Sequence, residues 1–456
     1  MRTYELVVIG GGPGGYVAAI KAAQLGMKVA MIEKEAVGGI CLNHGCIPTK
    51  TLIKSSKVYR TIRHSQDYGV TIDGEIKVDW KAMLKRKDQA VKRLTGGVSS
   101  LLKKNGVDVI KGEARVISKS EIEVNDEKLE TKDLIIATGA RPIIPPIPGL
   151  KEAYDKGIVR TSRELLVIKE VPKSLVIIGG GVIGVEFATI FASLGTKVTI
   201  IEKLDNILTN FDHDIVESYR KLLKKDRIDI HTGAEVKKVD GNRVTYQEKD
   251  EEKTIESEAI LLSVGMRANS EGLEALGLET DRGMIVTNDR LETSVKNVYA
   301  IGDVNGKYML AHVASAEGIT AVENINGKDS ELNYSHVPNA VYGIPEIASV
   351  GLTEQEAKEK GLDYETSTFP LAANGRALAE NERDGSIKLI VSPEYREIIG
   401  AHILAYNASD LIAEIGVTLE LEGTAHELAH TIHAHPTLSE IVMEAAHGAI
   451  DKPIHF

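Results

Sequence analysis

An α/β fold with two Rossmann-like dinucleotide-binding domains, the second inserted in the first, is predicted by three features of the sequence. "YELVVIGGGPGGYVAAIKAAQLGMKVAMIEKE" and "SLVIIGGGVIGVEFATIFASLGTKVTIIEKL" are one design written twice: an apolar run rich in Val and Ile, a glycine turn, a helix of small and apolar residues, and a second apolar strand closed by Glu. "LIIATGARP" (134–142) and "NVYAIGDV" (297–304), each a strand followed by glycine, flank the second copy and read as the first domain resuming after an insertion. At roughly 150 residues per domain, 456 residues give about three domains. The expected boundaries are 1–143 and 265–332 for the first domain, 144–264 for the inserted one and 333–456 for a C-terminal domain.

The opening residues could pass for a secretion signal, since Arg2 precedes an apolar run. Glu5 interrupts that run, the glycines between Gly10 and Gly15 would break an apolar helix, and no small-residue cleavage site follows. A buried strand entering a turn is the better reading. Gly10, Gly12 and Gly15, and again Gly179, Gly181 and Gly184, fall on G-x-G-x-x-G. The first glycine permits the turn, the second lets a pyrophosphate approach the backbone, and the third lets helix and strand pack closely. Phosphates would then rest on the free amides of the helix N-terminus. In each copy an acid follows 23 residues after the first glycine, Glu33 and Glu202. A carboxylate there accepts bonds from ribose hydroxyls and repels a 2′-phosphate, so Glu202 points to NAD over NADP. Asp303, at a strand end, is placed to bind a flavin's ribityl hydroxyls. "PIIPPIPG" (142–149) is a stiff hinge into the inserted domain.

"GGICLNHGCIPTK" (38–50) holds both cysteines of the chain. So sparing a usage suits a reducing compartment and a cytoplasmic address, where a close pair is catalytic or metal-binding more often than structural. On one regular helix five steps rise about 7.5 Å, beyond the reach of a disulfide. A bend is therefore needed between Cys41 and Cys46, and Asn43 and Gly45 suit it. From Pro48 the chain reads as a helix with proline in its first turn. Cys46 would lie at that helix's N-terminus, where the dipole favours thiolate. The rival, zinc, needs further ligands, and only His44 is local.

Net charge is −11 with basic residues interspersed among acidic ones, which argues against nucleic acid as a partner. No apolar run approaches the ~20 residues of a membrane span. In "HELAHTIHAHPTLSE" (426–440), His426, Glu427 and His430 match the H-E-x-x-H zinc helix. The extended form of that motif fails, because His433 stands where Gly is required and Pro436 where a third His is required. No metal is expected, and His426 and His430 read as surface or packing residues. Pro436 biases His435 out of the helical region. Glu440 is within reach to orient its imidazole as a general base, although Thr437 and Glu440 also spell the capping box T-x-x-E.

Taken in order, GGICLNHGCIPTK, the two glycine fingerprints, ATGARP, YAIGDV, "ANGRALAE" and "HAHPTLSE" resemble the dihydrolipoamide dehydrogenases, within the pyridine-nucleotide disulfide oxidoreductases, over essentially the whole chain. This resemblance implies that FAD is held by the Gly10 fingerprint, Glu33, Lys50, Ala114, Thr138, Gly139, Asp303 and Ala311. It places NAD at Gly179 to Gly184, Glu202, Val236 and Gly265. It pairs Lys50 with Glu186, makes the α+β C-terminal domain a homodimer interface, and gives His435 to the partner subunit's cysteines. The implied reaction starts when His435 deprotonates dihydrolipoamide, whose thiolate attacks the disulfide at Cys41. The second thiol releases lipoamide, and electrons pass from Cys46 to FAD and then to NAD+. A lipoyl-bearing acyltransferase or lipoyl carrier protein, in a 2-oxo acid dehydrogenase or glycine cleavage type complex, would present the substrate.

Three departures from the family pattern stand out: His44, "YGIPE" (342–346) in place of Thr-His before Pro, and "GMRAN" (265–269) in place of a double-Arg turn. The alternative is a related flavin disulfide reductase for another small disulfide such as glutathione. Such enzymes favour NADPH and arginines where this chain has Glu202 and Lys203. Mercuric reductase would need a C-terminal cysteine pair that the sequence lacks. A role as a docking component alone is separated from both by turnover of free lipoamide.

Overall fold

The computed structural model describes residues 2–456. Strand β1 (Arg2–Ile9) is the buried strand expected of the opening residues, with Leu6, Val7 and Val8 fully enclosed. It lies between two parallel neighbours, β2 (Val29–Glu33) and the strand Glu127–Ile136. Helix α1 (Pro13–Gln24) joins β1 to β2 and buries only glycine and alanine: Gly14, Gly15, Ala18, Ala19 and Ala22. Small residues are needed because the helix Ala311–Ile325 crosses it so closely that a Cβ on Gly318 would lie 2.7 Å from the Gly14 carbonyl oxygen.

A second, fully parallel sheet runs Ile228–His231, Lys197–Ile201, Ser174–Ile178, Ala259–Leu262 and Val159–Arg160. The chain enters and leaves it through one antiparallel pair, Ala140–Pro142 against Met266–Ala268. Strand Val298–Ala300 then returns to the first sheet and pairs with Leu134–Ile136, so the second unit is an insertion. A third sheet, antiparallel throughout, orders Asn339–Val341, Glu346–Gly351, Ile398–Ala405, Ser386–Val391 and Glu365–Pro370. Helices Ala408–Glu420 and Glu440–Ile450 supply much of its core.

Lys388 ties this third sheet to the inserted unit. Its ammonium, with the side chain 3% exposed, contacts Asp212, Asp214 and Glu354. Asp212 also caps the helix His213–Lys225. Burial pulls the Lys388 pKa down, but the carboxylates outweigh it and hold it above its ordinary value. Among the described residues, no helix is long and apolar enough to cross a membrane.

Candidate active site and dinucleotide cleft

The required bend falls at Gly45. Helix α2 (Gly39–His44) ends there and helix α3 (Cys46–Arg63) begins, so the two cysteines sit on different helices with Cα atoms 4.7 Å apart and are disulfide-bonded. Asn43 does not share the bend; it lies within α2, where its amide donates to the carbonyls of Val37 and Gly39 at 3.1 and 2.9 Å. Gly45 adopts φ −135°, ψ −110°, and a Cβ on it would meet the Ile40 carbonyl oxygen at 3.0 Å. Cys46 is the first residue of α3, two positions earlier than the proline-based expectation, and Pro48 remains in the first turn.

The two glycine loops are built alike. Gly10 and Gly179 have φ of 107° and 109°, and a Cβ on them would strike the carbonyl oxygens of Ala137 and Ser263 at 2.1 and 2.4 Å. On Gly15 and Gly184 it would strike the oxygens of Gly10 and Gly179 at 1.8 and 2.2 Å. On the middle glycines the space is open: nothing lies within 4 Å of Gly181, and only the Gly39 Cα, at 3.9 Å, approaches Gly12. That is the side from which a pyrophosphate would reach the helix amides. Each acid secures its own loop: Glu33 accepts from the N–H groups of Gly11 (2.7 Å) and Glu35 (2.6 Å), and Glu202 from those of Gly180 (2.6 Å) and Leu204 (2.7 Å).

Both loops open on one cleft of about 2290 Å³, lined also by Cys41, Cys46, Lys50, Ala114, Thr138, Gly139, Glu186, Val236, Gly265, Asp303 and Ala311. A site for one small ligand runs to about 1,000 Å³, so there is room for two dinucleotides, and the residues present fit FAD at the first loop and NAD at the second. Lys50 is one helical turn beyond Cys46 and bonds both Glu186 oxygens at 2.9 Å, with its ammonium 4.5 Å from the centre of the Tyr342 ring. The Tyr342 N–H donates to the same carboxylate at 3.0 Å. Burial first, then the neighbouring Glu317 carboxylate, pushes Asp303 up to about 6. Glu317 is itself enclosed, accepting from the Gly302 N–H and the Asn305 and Tyr334 side chains.

The sequence reading missed three supports. Tyr342 covers Lys50, and Gly343 beside it is small because a Cβ there would meet the Tyr219 hydroxyl at 1.9 Å. Asn269, in the "GMRAN" departure, holds the Thr138 turn: its amide donates to the Thr138 carbonyl at 2.9 Å, and its own carbonyl accepts from the Thr138 hydroxyl at 2.7 Å. The third is Glu317. The first two lie in segments already marked as unusual; nothing in the sequence marked Glu317.

At the C-terminus, His435 precedes the helix Glu440–Ile450, and its Nδ1 is 2.8 Å from Glu440 Oε1. The other Glu440 oxygen accepts from the Thr437 N–H at 2.8 Å, while the Thr437 hydroxyl turns to the Ala434 carbonyl. One carboxylate thus orients the imidazole and makes half of a capping box. Burial pushes Glu440 up, but the Thr437 amide and His435 outweigh it and hold it below its ordinary value. The H-E-x-x-H match has a local cause: Glu427 closes a capping box with Thr424. Among the described residues no group of three or more His, Cys, Asp or Glu is placed to hold a metal ion.

Comparison with known proteins gives consistent matches. Residues 4–318 match the family model "Pyridine nucleotide-disulphide oxidoreductase", and residues 337–446 match the dimerisation domain of the same family. The chain is 63% identical over 324 residues to a dihydrolipoyl dehydrogenase of Acholeplasma laidlawii, covering 71% of this chain and 96% of the relative. It is 47% identical to the dihydrolipoyl dehydrogenase of Bacillus subtilis over 99% of this chain and 97% of that one. Among solved structures, the HOCl-induced flavoprotein disulfide reductase RclA from Escherichia coli, as its Cu(II) complex, superposes with TM-score 0.88 at 30% identity, covering 98% of this chain and 99% of that one.

Proposed function

The chain belongs to the pyridine nucleotide-disulphide oxidoreductases, and on that premise we propose that it oxidises the dihydrolipoyl group of a lipoyl-bearing acyltransferase or lipoyl carrier protein, with NAD+ as final acceptor. Its cofactors are FAD and NAD, and it is a homodimer. The observation that carries the reading is the Cys41–Cys46 disulfide, set at the start of α3 in the cleft that both glycine loops face. The domain limits 1–143, 144–264, 265–332 and 333–456 belong to this reading, supported by the single antiparallel crossing at Ala140–Pro142 and Met266–Ala268.

When bound, FAD takes two electrons from the dithiol and NAD+ receives them as hydride; the remaining steps use side chains. His435, with Nδ1 directed at Glu440, has Nε2 to take a proton from the incoming dithiol. Its side chain is 77% exposed within one subunit, which supports a role in the partner's site. The substrate thiolate attacks Cys41 Sγ; the disulfide breaks and Cys46 leaves as thiolate, favoured by the α3 N-terminus. The second substrate thiol, deprotonated in turn, attacks the substrate sulfur of the mixed disulfide, frees Cys41 and closes the lipoyl ring. Lys50, fixed by Glu186, places a cation one turn past Cys46, where the flavin would lie.

The test is NADH formation by the purified holoenzyme from free dihydrolipoamide, with NADP+ as comparison. Turnover with NAD+, lost by at least ~10³-fold in Cys46→Ser, is expected. Absence of bound flavin, or reduction of glutathione disulfide by NADPH in preference, overturns the reading.

A further inference from the structure

Helix α4 (Trp80–Lys104) carries eight basic residues and one acid, Asp88, in a chain whose net charge is −11. Asp88 pairs with Lys87, which is otherwise buried. Lys81, Lys85, Lys92, Arg93, Lys103 and Lys104 are exposed, and among the described residues they have no ion pair. At 3.6 residues per turn these six lie within an arc of about 140°, a stripe roughly 35 Å long. Lys81 and Lys85, four residues apart on one face, repel each other. The chain has more acidic than basic residues, 66 against 55, yet the only acid on α4 is Asp88, at the stripe's margin, and it is taken up by Lys87.

The stripe adjoins the redox centre. Arg86, at its edge, donates to the Thr51 carbonyl of α3 at 3.0 Å, and α3 begins at Cys46. At the far end, a hollow of about 380 Å³ opens beside Lys103 and Ser99 and is closed by Val37, just ahead of the cysteine loop. A second copy of the chain is a poor occupant, because a two-fold contact through the stripe would set cations against cations. A bilayer or a nucleic acid would bring the rest of an acidic molecule against its own extended negative charge. A compact domain with an acidic face meets only the stripe.

We infer that the basic stripe of α4 docks an acidic face of the lipoyl-bearing domain while its dithiol arm enters the Cys41–Cys46 cleft. This rests on the function proposed above. The test compares wild type with Lys85→Glu/Lys92→Glu/Arg93→Glu, both as flavin-loaded dimers. The substrates are free dihydrolipoamide and a recombinant lipoyl domain of net negative charge, reduced beforehand. In dilute salt the triple variant loses about tenfold or more in kcat/KM for the domain, a gap that closes as added salt screens the contact. Its kcat/KM for free dihydrolipoamide stays within about twofold, since none of the three contacts the cleft. Equal kinetics of variant and wild type on the domain overturn docking while leaving the reaction intact. Loss of the dimer by light scattering assigns the stripe to the subunit interface, and binding of wild type to phosphatidylglycerol vesicles with unchanged domain kinetics assigns it to a membrane; either overturns docking. Failure of wild type to oxidise free dihydrolipoamide removes the reaction itself.

Discussion

Glu440 and Asp303 are the two carboxylates whose surroundings make the sharpest demands. Glu440 divides its oxygens between His435 and the Thr437 amide. Glu440→Gln keeps the shape but removes the charge that steadies an imidazolium, so kcat with dihydrolipoamide should fall about 10²-fold, with KM for NAD+ little changed; steady-state kinetics on both substrates check this. Asp303 is pushed up to about 6 by burial and by Glu317. A carboxyl raised on folding favours the folded state while protonated; that contribution is present below the unfolded value near 3.9 and is lost as pH rises through about 6. In flavin-free protein, Asp303→Asn should therefore raise Tm at pH 8, by a stabilisation on the order of 3 kcal/mol, with the gain shrinking toward pH 5. On the reading in which Asp303 accepts from ribityl hydroxyls, the same substitution should weaken FAD binding by removing an anionic acceptor; thermal melts and flavin titration across pH measure both. His435 was legible because a proline fixed its setting and an acid stood five residues on. Glu317 was not, since its enclosure arises only when the Gly302–Asn305 turn and Tyr334 fold onto its helix, and no local pattern spells that out.

At the level of elements, the repeated β–turn–α–β unit was readable because each glycine answers a separate steric demand. The first and third positions are closed by backbone oxygens, and the middle one opens on the cleft. The three positions should therefore respond differently to one methyl group. Gly181→Ala should fold, keep FAD and still be reduced by dihydrolipoamide, yet raise KM for NAD+ by about tenfold or more, because its Cβ would enter the path proposed for the NAD phosphates. Gly179→Ala places a Cβ 2.4 Å from the Ser263 oxygen at φ 109°, so soluble yield and Tm should drop. Flavin content, NAD+ kinetics and melting curves separate the two; equal behaviour would contradict the steric assignment. The cysteine loop was legible for the same reason, since a five-residue spacing cannot close on a straight helix. Its bend proved to be the work of Gly45 alone, because Asn43 lies within α2 and turns back to the Val37 and Gly39 carbonyls. The Tyr342 cover on Lys50 and the Asn269 brace on Thr138 escaped because each joins segments more than 100 residues apart.

Across the whole molecule, the insertion and the third sheet bring one set of groups into the cleft and leave another outside it. Cys41, Cys46, Lys50 and Glu186 line the cleft of their own chain. His435 is 77% exposed, with its acid partner behind it. A homodimer resolves this if each imidazole completes the other subunit's site, and that arrangement predicts a specific arithmetic. Cys46→Ser and His435→Ala homodimers should each be inactive toward dihydrolipoamide. A heterodimer made of one subunit of each kind has one site with neither group and one site with both. Random reassociation of equal amounts puts half the dimers in that form, so activity should recover to about one quarter of wild type. Unfolding the two variants together, refolding with FAD and assaying NADH formation measures the recovery; mixing them after refolding is the control. Recovery to about one quarter would require His435 to act across the interface. No recovery, with heterodimers demonstrated by differential tagging, would require the base to lie in the same chain as the cysteines it serves, and the exposed dyad would then need another role.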